Sequence, residues 1–551
     1  MCWGVLRRTP QTPRSLRRSE FGFARCSFQR ATFGHSLRAF GRAEALATAS
    51  GILLALSFPK FGHGLVAWVA LAPLLVALAT ARSASHGFRL GYLTGAVSSL
   101  GIVYWTSLVV VQYGGLSMPM GIAVMALLCL ALALFPCLFG CIVAFWARTW
   151  GPGALLVAPL AWVATEILRA HTLFNFAWCL LGYSQHAQLP VIQIARFGAV
   201  YAVSFVVASS SAAIAYAIVE PRRGPRVRAL LAGVLLVTAV VGDGLWRLRT
   251  PIPESGRLSV GLVQAAIQQE DKWDPDEAYA NLGHHVTLTR EAAARGARFV
   301  VWPESSLPWL YDRNPAIAAE LQRLTRELGV HLLFGNDDRE DGVAGPRRRI
   351  WVGAKMLTPA GDVAFRYHKM RLVPFGEYVP LESALTLGGR YSARMVQAVG
   401  AFTPGTEYAI GEVDGRRFGV SICYEAIFPD LLREFTVRGA DLLINITNDG
   451  WYGRTSAPHQ HFAMAVFRAV ENGKYLVRAA NTGISGVVDP RGRVLERTEL
   501  FERRAIVREV PIVPGLTFYA RRGDVFAWGC LGAAVALTAV AASRRFTRRP
   551  S

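Results

Sequence analysis

From residue 44 to residue 248 the chain is a succession of apolar runs separated by short polar breaks, and most of the runs have helical rather than strand length. About 20 mostly apolar residues are needed to cross ~30 Å of hydrocarbon as a helix. The runs 44–58, 63–80, 90–110, 118–147, 153–169, 198–219 and 229–247 are read as seven spans, and 524–543 as an eighth. Between them the period changes. Short β-rich runs at 258–263, 298–302, 330–334, 417–422, 441–446 and 484–489 predict strands, and 277–295 and 314–328 predict helices. Thr358-Pro359-Ala360-Gly361-Asp362 and Asp489-Pro490-Arg491-Gly492 carry hairpin turn signals. The expected fold is a polytopic α-helical membrane protein of about eight transmembrane helices carrying an α/β layered domain with a mixed sheet. Its expected parts are a basic tail at 1–43, seven helices over 44–248, the α/β domain at 249–523, a last helix at 524–543 and a second basic tail at 544–551.

Composition supports the membrane reading. Of 551 residues, 52% are hydrophobic and only 18% charged, against about 25% charged in soluble domains. With a mean hydropathy of +0.30, this excludes a purely soluble or disordered chain. The net charge of +21 is placed beside membranes rather than spread as a nucleic-acid surface. Nine arginines fall in the first 42 residues, with Glu20 the only acid there, and Arg544, Arg545, Arg548 and Arg549 end the chain. The linkers after spans two, four and six carry Arg82 and Arg89, Arg148, and Arg222, Arg223, Arg226 and Arg228; those after one, three and five carry Lys60, no basic residue, and Arg196. The positive-inside rule then puts both termini in the cytoplasm and 249–523 outside it. Of eight cysteines only Cys423 lies in that external domain, so the domain has no internal disulfide. At the outer end of the fifth span, Glu166 and Arg169 are spaced to pair on one helix face. The following 174–185 is an interfacial aromatic belt or a loop that touches substrate.

Three polar groups sit at or just beyond strand ends, where layered α/β folds place chemistry. Glu304 follows Phe299–Pro303, Lys369 follows Val363–His368, and Cys423 follows Phe418–Ile422. A carboxylate can take a thiol proton, a thiolate can attack an acyl carbonyl, and an ammonium can stabilise the oxyanion. Lysine is scarce here, five of 59 basic residues, so Lys369 suggests a need for a compact point charge. No GxGxxG, Walker loop or zinc spacing occurs, and Pro458-His459-Gln460-His461 has no acid or cysteine beside it in sequence to complete a metal site. Residues 381–402, Gly- and Ala-rich with scattered large apolar side chains, read as a mobile lid or an ordinary packed insertion.

The motifs around these residues resemble the nitrilase superfamily, and within it the membrane-bound apolipoprotein N-acyltransferases. They are Val301–Ser306, Tyr367–Pro380, Ser421–Glu425, Asn445–Gly453, Gln460-His461, Arg468–Glu471 and Asn481–Gly483, with Gly182–Gln185 in the membrane part. The resemblance covers roughly 44–543. It implies an α-β-β-α sandwich with Glu304 as proton acceptor, Lys369 as oxyanion stabiliser and Cys423 as nucleophile, supported by Glu377, Tyr424, Glu425 and Trp273. It also implies an activity: transfer of a fatty acyl chain from a membrane phospholipid, through a Cys thioester, to the α-amine of the diacylglyceryl-cysteine of apolipoproteins. No cofactor, metal or nucleic-acid partner is expected. The expected state is a monomer in the bacterial inner membrane with its catalytic domain on the periplasmic side. Ala266 stands where the family often has Asn, and Ala177 where Pro is usual before Trp178. Two other readings are a membrane-tethered amidase acting on small amides and a non-enzymatic scaffold. Spans without central charged residues speak against transport.

Overall fold

The structure, a computed structural model, describes residues 41–172, 175–340, 349–378 and 402–547. The membrane part opens with α1 (Arg42–Leu56), the short α2 (Ala67–Ala70), α3 (Ala72–Ala79), α4 (Ala84–Val103) and α5 (Trp105–Gln112). It continues with α6 (Met118–Leu132), α7 (Leu134–Trp150), α8 (Ala158–His171), the short α9 (Leu189–Ile192), α10 (Ala195–Val219) and α11 (Arg223–Arg249). By length and composition, four helical runs among the described residues are fit to cross a membrane, at 118–171, 195–219, 223–249 and 525–545; α4 and α5 together make a fifth.

The departures from simple spans have local causes. α4 and α5 meet at a 53° bend. There the Thr106 and Ser107 hydroxyls donate to the carbonyls of Val103 and Tyr104, both at 2.8 Å, diverting acceptors from the helix ladder. The expected span 118–147 is two helices that break at Ala133, because Pro136 has no N–H to donate to Leu132. α10 is kinked at Gly198–Ala199, where Ala199 takes φ +52°. α4 and α7 pack backbone to backbone: a Cβ on Gly140 would sit 2.3 Å from the Gly87 carbonyl oxygen, and one on Gly91 2.1 Å from that of Pro136. Glycine at this spacing is what lets two membrane helices approach so closely.

Residues 257–511 build two six-stranded mixed sheets. The first has the order β14 (Arg504–Pro511), β1 (Arg257–Gln264), β2 (Phe299–Val301), β3 (His331–Gly335), β6 (Gly353–Leu357), β7 (Val363–His368). The second runs β13 (Val494–Arg497), β12 (Gly486–Val488), β11 (Tyr475–Ala480), β10 (Leu442–Thr447), β9 (Arg416–Ile422), β8 (Ile410–Val413). A separate ribbon pairs β4 (Asp338–Glu340) with β5 (Arg349–Trp351). Period-2 alternation sorts each strand's side chains between two buried faces. Phe299, Val301 and Leu333 join the core between the sheets, while Val300, Trp302, Leu332 and Phe334 join the core under the outer helices. Phe418 of the second sheet meets Phe299 and Phe365 of the first, each at 5.1 Å between ring centroids. Helices α12 (Ala278–Ala294) and α13 (Pro315–Leu328) cover the outside of the first sheet. Helices α14 (Pro429–Val437) and α15 (Ala457–Asn472) cover the second. The layers are α-β-β-α, as the resemblance implies. Both turn signals fall where expected, between β6 and β7 and between β12 and β13.

After α16 (Phe518–Arg522), α17 (Val525–Phe546) packs against α8 and α10. α15 is the joint between the two halves. Its Gln460 Nε2 donates to the Pro59 carbonyl at 2.8 Å, after α1. Its Glu471 Oε1 accepts at 3.0 Å from Val200 N, an amide freed by the α10 kink. Other connections do the same: Gln112 to Glu270 at 2.7 Å, Tyr424 to the Asn175 carbonyl at 3.3 Å, and Arg493 to the Leu248 carbonyl at 2.7 Å. The connections 80–83, 148–151 and 220–223 make no hydrogen bond to 249–523 among the described residues. Instead Arg545, near the end of α17, donates to Thr149 Oγ1 at 2.9 Å.

Candidate active site

The candidate residues converge where parallel strands end, the edge at which open α/β sheets bind ligands. Glu304 stands just past β2, Cys423 just past β9, Asn448 and Asp449 just past β10, and Asn481 just past β11. Gly335 makes the Glu304 turn possible: a Cβ there would lie 2.6 Å from Glu304 Cα and 2.5 Å from Ser305 N. Ser305 and Cys423 hold left-handed backbone, φ +46° and +50°, a strained conformation for residues with a Cβ that concentrates at functional sites. Cys423 opens a 3₁₀ turn directly from β9, which lifts its side chain off the sheet edge.

Lys369 is the centre of the charge arrangement. Its Nζ lies 3.3 Å from Glu304 Oε1 and 2.6 Å from Glu377 Oε1, with no solvent exposure. Burial alone pushes an ammonium down, but the Glu304 and Glu377 carboxylates overcome it and hold Lys369 well above its ordinary range. Glu304 Oε2 accepts from Asn448 N at 2.8 Å, and Glu377 Oε2 from Val373 N at 2.8 Å. Both carboxylates are thereby fixed in rotation. Cys423 is buried within electrostatic reach of Glu304 and Lys369. Burial pushes its thiol well above the usual range, Glu304 adds to this, and Lys369 opposes it. The resting group is a thiol, which could act as a nucleophile only with a base to take its proton.

Glu425 ties the two reactive elements together. Its Oε1 accepts from Tyr367 Oη at 2.9 Å, Met370 N at 2.6 Å and Arg371 N at 3.1 Å, and its Oε2 accepts from Ile422 N at 2.7 Å. The residues after Lys369 and before Cys423 therefore share one carboxylate. Burial pushes it up to about 7, against the pull of those backbone donors. Tyr424 is buried against Phe428, with ring centroids at 5.2 Å. Trp273 stands apart: it is 48% exposed, and its neighbour Lys272 is the residue that enters the cluster.

Lys272 was not singled out from the sequence, although the scarcity of lysine that marks Lys369 marks it too. Its Nζ donates to the Glu304 carbonyl at 3.1 Å, and burial lowers it to about 8 against the attraction of Glu304 and Asp337. His461, named from the sequence only as part of its motif, also joins the cluster. Its Nε2 lies 3.0 Å from the Cys423 carbonyl oxygen and its Nδ1 2.9 Å from Asp449 Oδ1, and Arg478 donates to Asp449 Oδ2 at 2.8 Å. An acid thus does stand beside this histidine, brought from β10 by the fold. Among the described residues no group of three metal-ligating side chains forms.

The membrane half supplies part of the wall. Trp105 of α5 and Trp178 both donate to Gln460 Oε1, at 3.2 and 2.8 Å. Their rings lie 4.9 and 6.1 Å from Tyr452, which is within electrostatic reach of Cys423. The expected Glu166–Arg169 pair does not form. Glu166 Oε1 accepts from Trp162 and from Leu181 N, and Arg169 donates to the Trp178 carbonyl at 3.0 Å. Both side chains tie the 175–182 loop to α8. The proposed lid at 381–402 lies outside the described residues apart from Phe402.

A buried thiol, two carboxylates and a lysine on an α-β-β-α sandwich, walled on one side by membrane helices, define a membrane-bound member of the carbon-nitrogen hydrolase class. That family matches residues 259–513, and the apolipoprotein N-acyltransferase N-terminal domain matches 50–213. The apolipoprotein N-acyltransferase of Geobacter metallireducens is 39% identical over 91% of this chain and 95% of its own length. That of Methylococcus capsulatus is 33% identical over 92% and 96%. A solved amidase from Nesterenkonia sp. aligns with 51% of this chain and 98% of its own, at 21% identity and a TM-score of 0.37. The chain belongs to the apolipoprotein N-acyltransferase family.

Proposed function

We propose that this chain transfers a fatty acyl group from a membrane phospholipid to the α-amine of the diacylglyceryl-cysteine that begins apolipoproteins. The observation that carries this reading is the shared wall: Trp105 and Trp178 of the membrane half stand against Tyr452, which is within electrostatic reach of Cys423. A site built partly from membrane helices suits two substrates that both reside in the bilayer.

In the first half-reaction Glu304 takes the Cys423 proton as the sulfur attacks the phospholipid ester carbonyl. Lys369 donates to the oxyanion, the C–O bond breaks, and Glu304 returns the proton to the departing lysophospholipid alkoxide. In the second, the free amine attacks the thioester carbonyl while Glu304 accepts a proton from nitrogen. The C–S bond breaks, and the thiol is restored with the amide as product. Glu377 keeps Lys369 aimed, and Glu425 keeps Lys369 and Cys423 in register.

The same reading puts the protein in the bacterial inner membrane with eight crossings, both termini cytoplasmic and 249–523 periplasmic. Its support is that connections after α1, α5, α8 and α11 bond to the catalytic half while the Arg-bearing connections do not. The test is the purified full-length protein in detergent, given a phospholipid and a diacylglyceryl lipopeptide, with small amides as a parallel substrate. N-acylated lipopeptide, absent with Cys423→Ala, is expected. Release of ammonia from small amides without lipopeptide acylation would favour the tethered amidase instead.

A further inference from the structure

An apolar groove of about 620 Å³ opens between α10, α11 and α17, on the domain side of the membrane part. Phe197, Ala202 and Phe205 line it from α10, Ala239 and Val240 from α11, and Val525 and Phe526 from α17. The volume lies within the roughly 300–1,000 Å³ typical of sites for small ligands. None of its lining residues belongs to the catalytic cluster.

The rim is basic. Arg247 packs its guanidinium over the Phe197 ring, 5.2 Å from the centroid, and pairs at 2.7 Å with Asp243, itself a lining residue. Arg196, one residue before Phe197, is close enough to Arg247, Arg491 and Asp243 to feel their charge. Its guanidinium has no hydrogen-bond or ion-pair partner among the described residues. Arg491 and Arg493 both donate to the Leu248 carbonyl at the end of α11. Four guanidiniums therefore gather with Asp243 and Asp489 as the nearby acids, and the exposed Trp246 sits beside them as headgroup-level aromatics do. An apolar slot whose rim carries four guanidiniums against two nearby carboxylates complements one ligand class, an acyl chain joined to a phosphate.

We infer that this groove holds an anionic phospholipid of the bilayer, with an acyl chain between α10, α11 and α17 and its phosphate on Arg196 and Arg247. The lipid would join helices that enter and leave the catalytic domain at opposite ends of its sequence. This inference rests on the chain being membrane-embedded and not on the acyl-transfer reading.

Native mass spectrometry of the full-length Cys423→Ala protein, which cannot form the thioester, with equal phosphatidylglycerol and phosphatidylcholine tests it. One tightly retained phosphatidylglycerol is expected, and added phosphatidylglycerol should raise the apparent melting temperature while phosphatidylcholine does not. Arg196→Gln with Arg247→Gln should weaken that retention by on the order of tenfold or more. Ala239→Trp, on an exposed helix face and so compatible with folding, should block the slot and abolish both effects. Equal retention of the two lipids, or a phosphatidylglycerol preference that survives both the arginine changes and Ala239→Trp, would overturn the inference.

Discussion

Lys369 has no room for a larger cation. It is fully buried, with carboxylate oxygens at 2.6 and 3.3 Å on two sides. Lys369→Arg keeps the charge but presents a planar fork where one compact donor stood. Removing one oxyanion donor costs about 10²–10³ in rate, and a loss of at least that order is expected in the lipopeptide assay at a temperature below the variant's own melting transition, which overpacking should lower. Turnover near the parent's would reduce Lys369 to a structural ion pair. Ala266 offers a test in the other direction. It holds φ +53°, pinned by its amide donating to the Asn481 carbonyl at 3.1 Å. Left-handed backbone costs a residue with a Cβ roughly 1–2 kcal/mol, and Asn and Gly tolerate it best. Ala266→Asn and Ala266→Gly should therefore raise the apparent melting temperature without changing turnover; a fall in both would show that the methyl group is needed for packing.

At the scale of elements, α15 carries the joint between halves. Its Arg468 and Glu471, wholly buried and 2.9 Å apart, also bond to Tyr183 Oη and Val200 N of the membrane half. Breaking one side of such a pair strands a buried charge, at about 3–5 kcal/mol, whereas replacing both with apolar groups is often close to neutral. Arg468→Met should thus lower the melting temperature markedly, and adding Glu471→Leu should recover much of the loss. A double variant as unstable as the sum of the singles would mean that each residue acts alone. This joint also shows where sequence reading ends. Runs apolar on both faces announced β1, β3, β9 and β10, and turn residues announced two hairpins, because those signals are local. Glu304, Lys369 and Cys423 were legible because each follows a strand inside a distinctive motif. The bend at Tyr104 was not, since it depends on two hydroxyls turning back onto their own helix. Asp449 beside His461, and the failure of Glu166 to pair with Arg169, depend on partners that only the packed fold supplies. Trp273 was named only because the resemblance implies that it supports the site, while the buried group is its neighbour Lys272.

For the whole molecule, the arrangement of connections makes topology testable. A periplasmic-type reporter fused after Thr250 should be active outside the cytoplasm only, and one fused after Arg545 inactive there. A cytoplasmic readout at Thr250 would overturn the span count and the compartment together. The central claim is that one thiol carries the acyl chain between two membrane-borne substrates. A buried thiol held protonated, beside a carboxylate fixed by the Asn448 amide, should react only when an ester carbonyl arrives. The most direct measurement is intact mass spectrometry of the full-length protein incubated with phospholipid and no acceptor. The account predicts one added fatty acyl group, released by neutral hydroxylamine, mapped to Cys423, nearly absent in Glu304→Gln and absent in Cys423→Ala. An adduct that forms equally well in Cys423→Ala, or lipopeptide acylation by that variant, would contradict it.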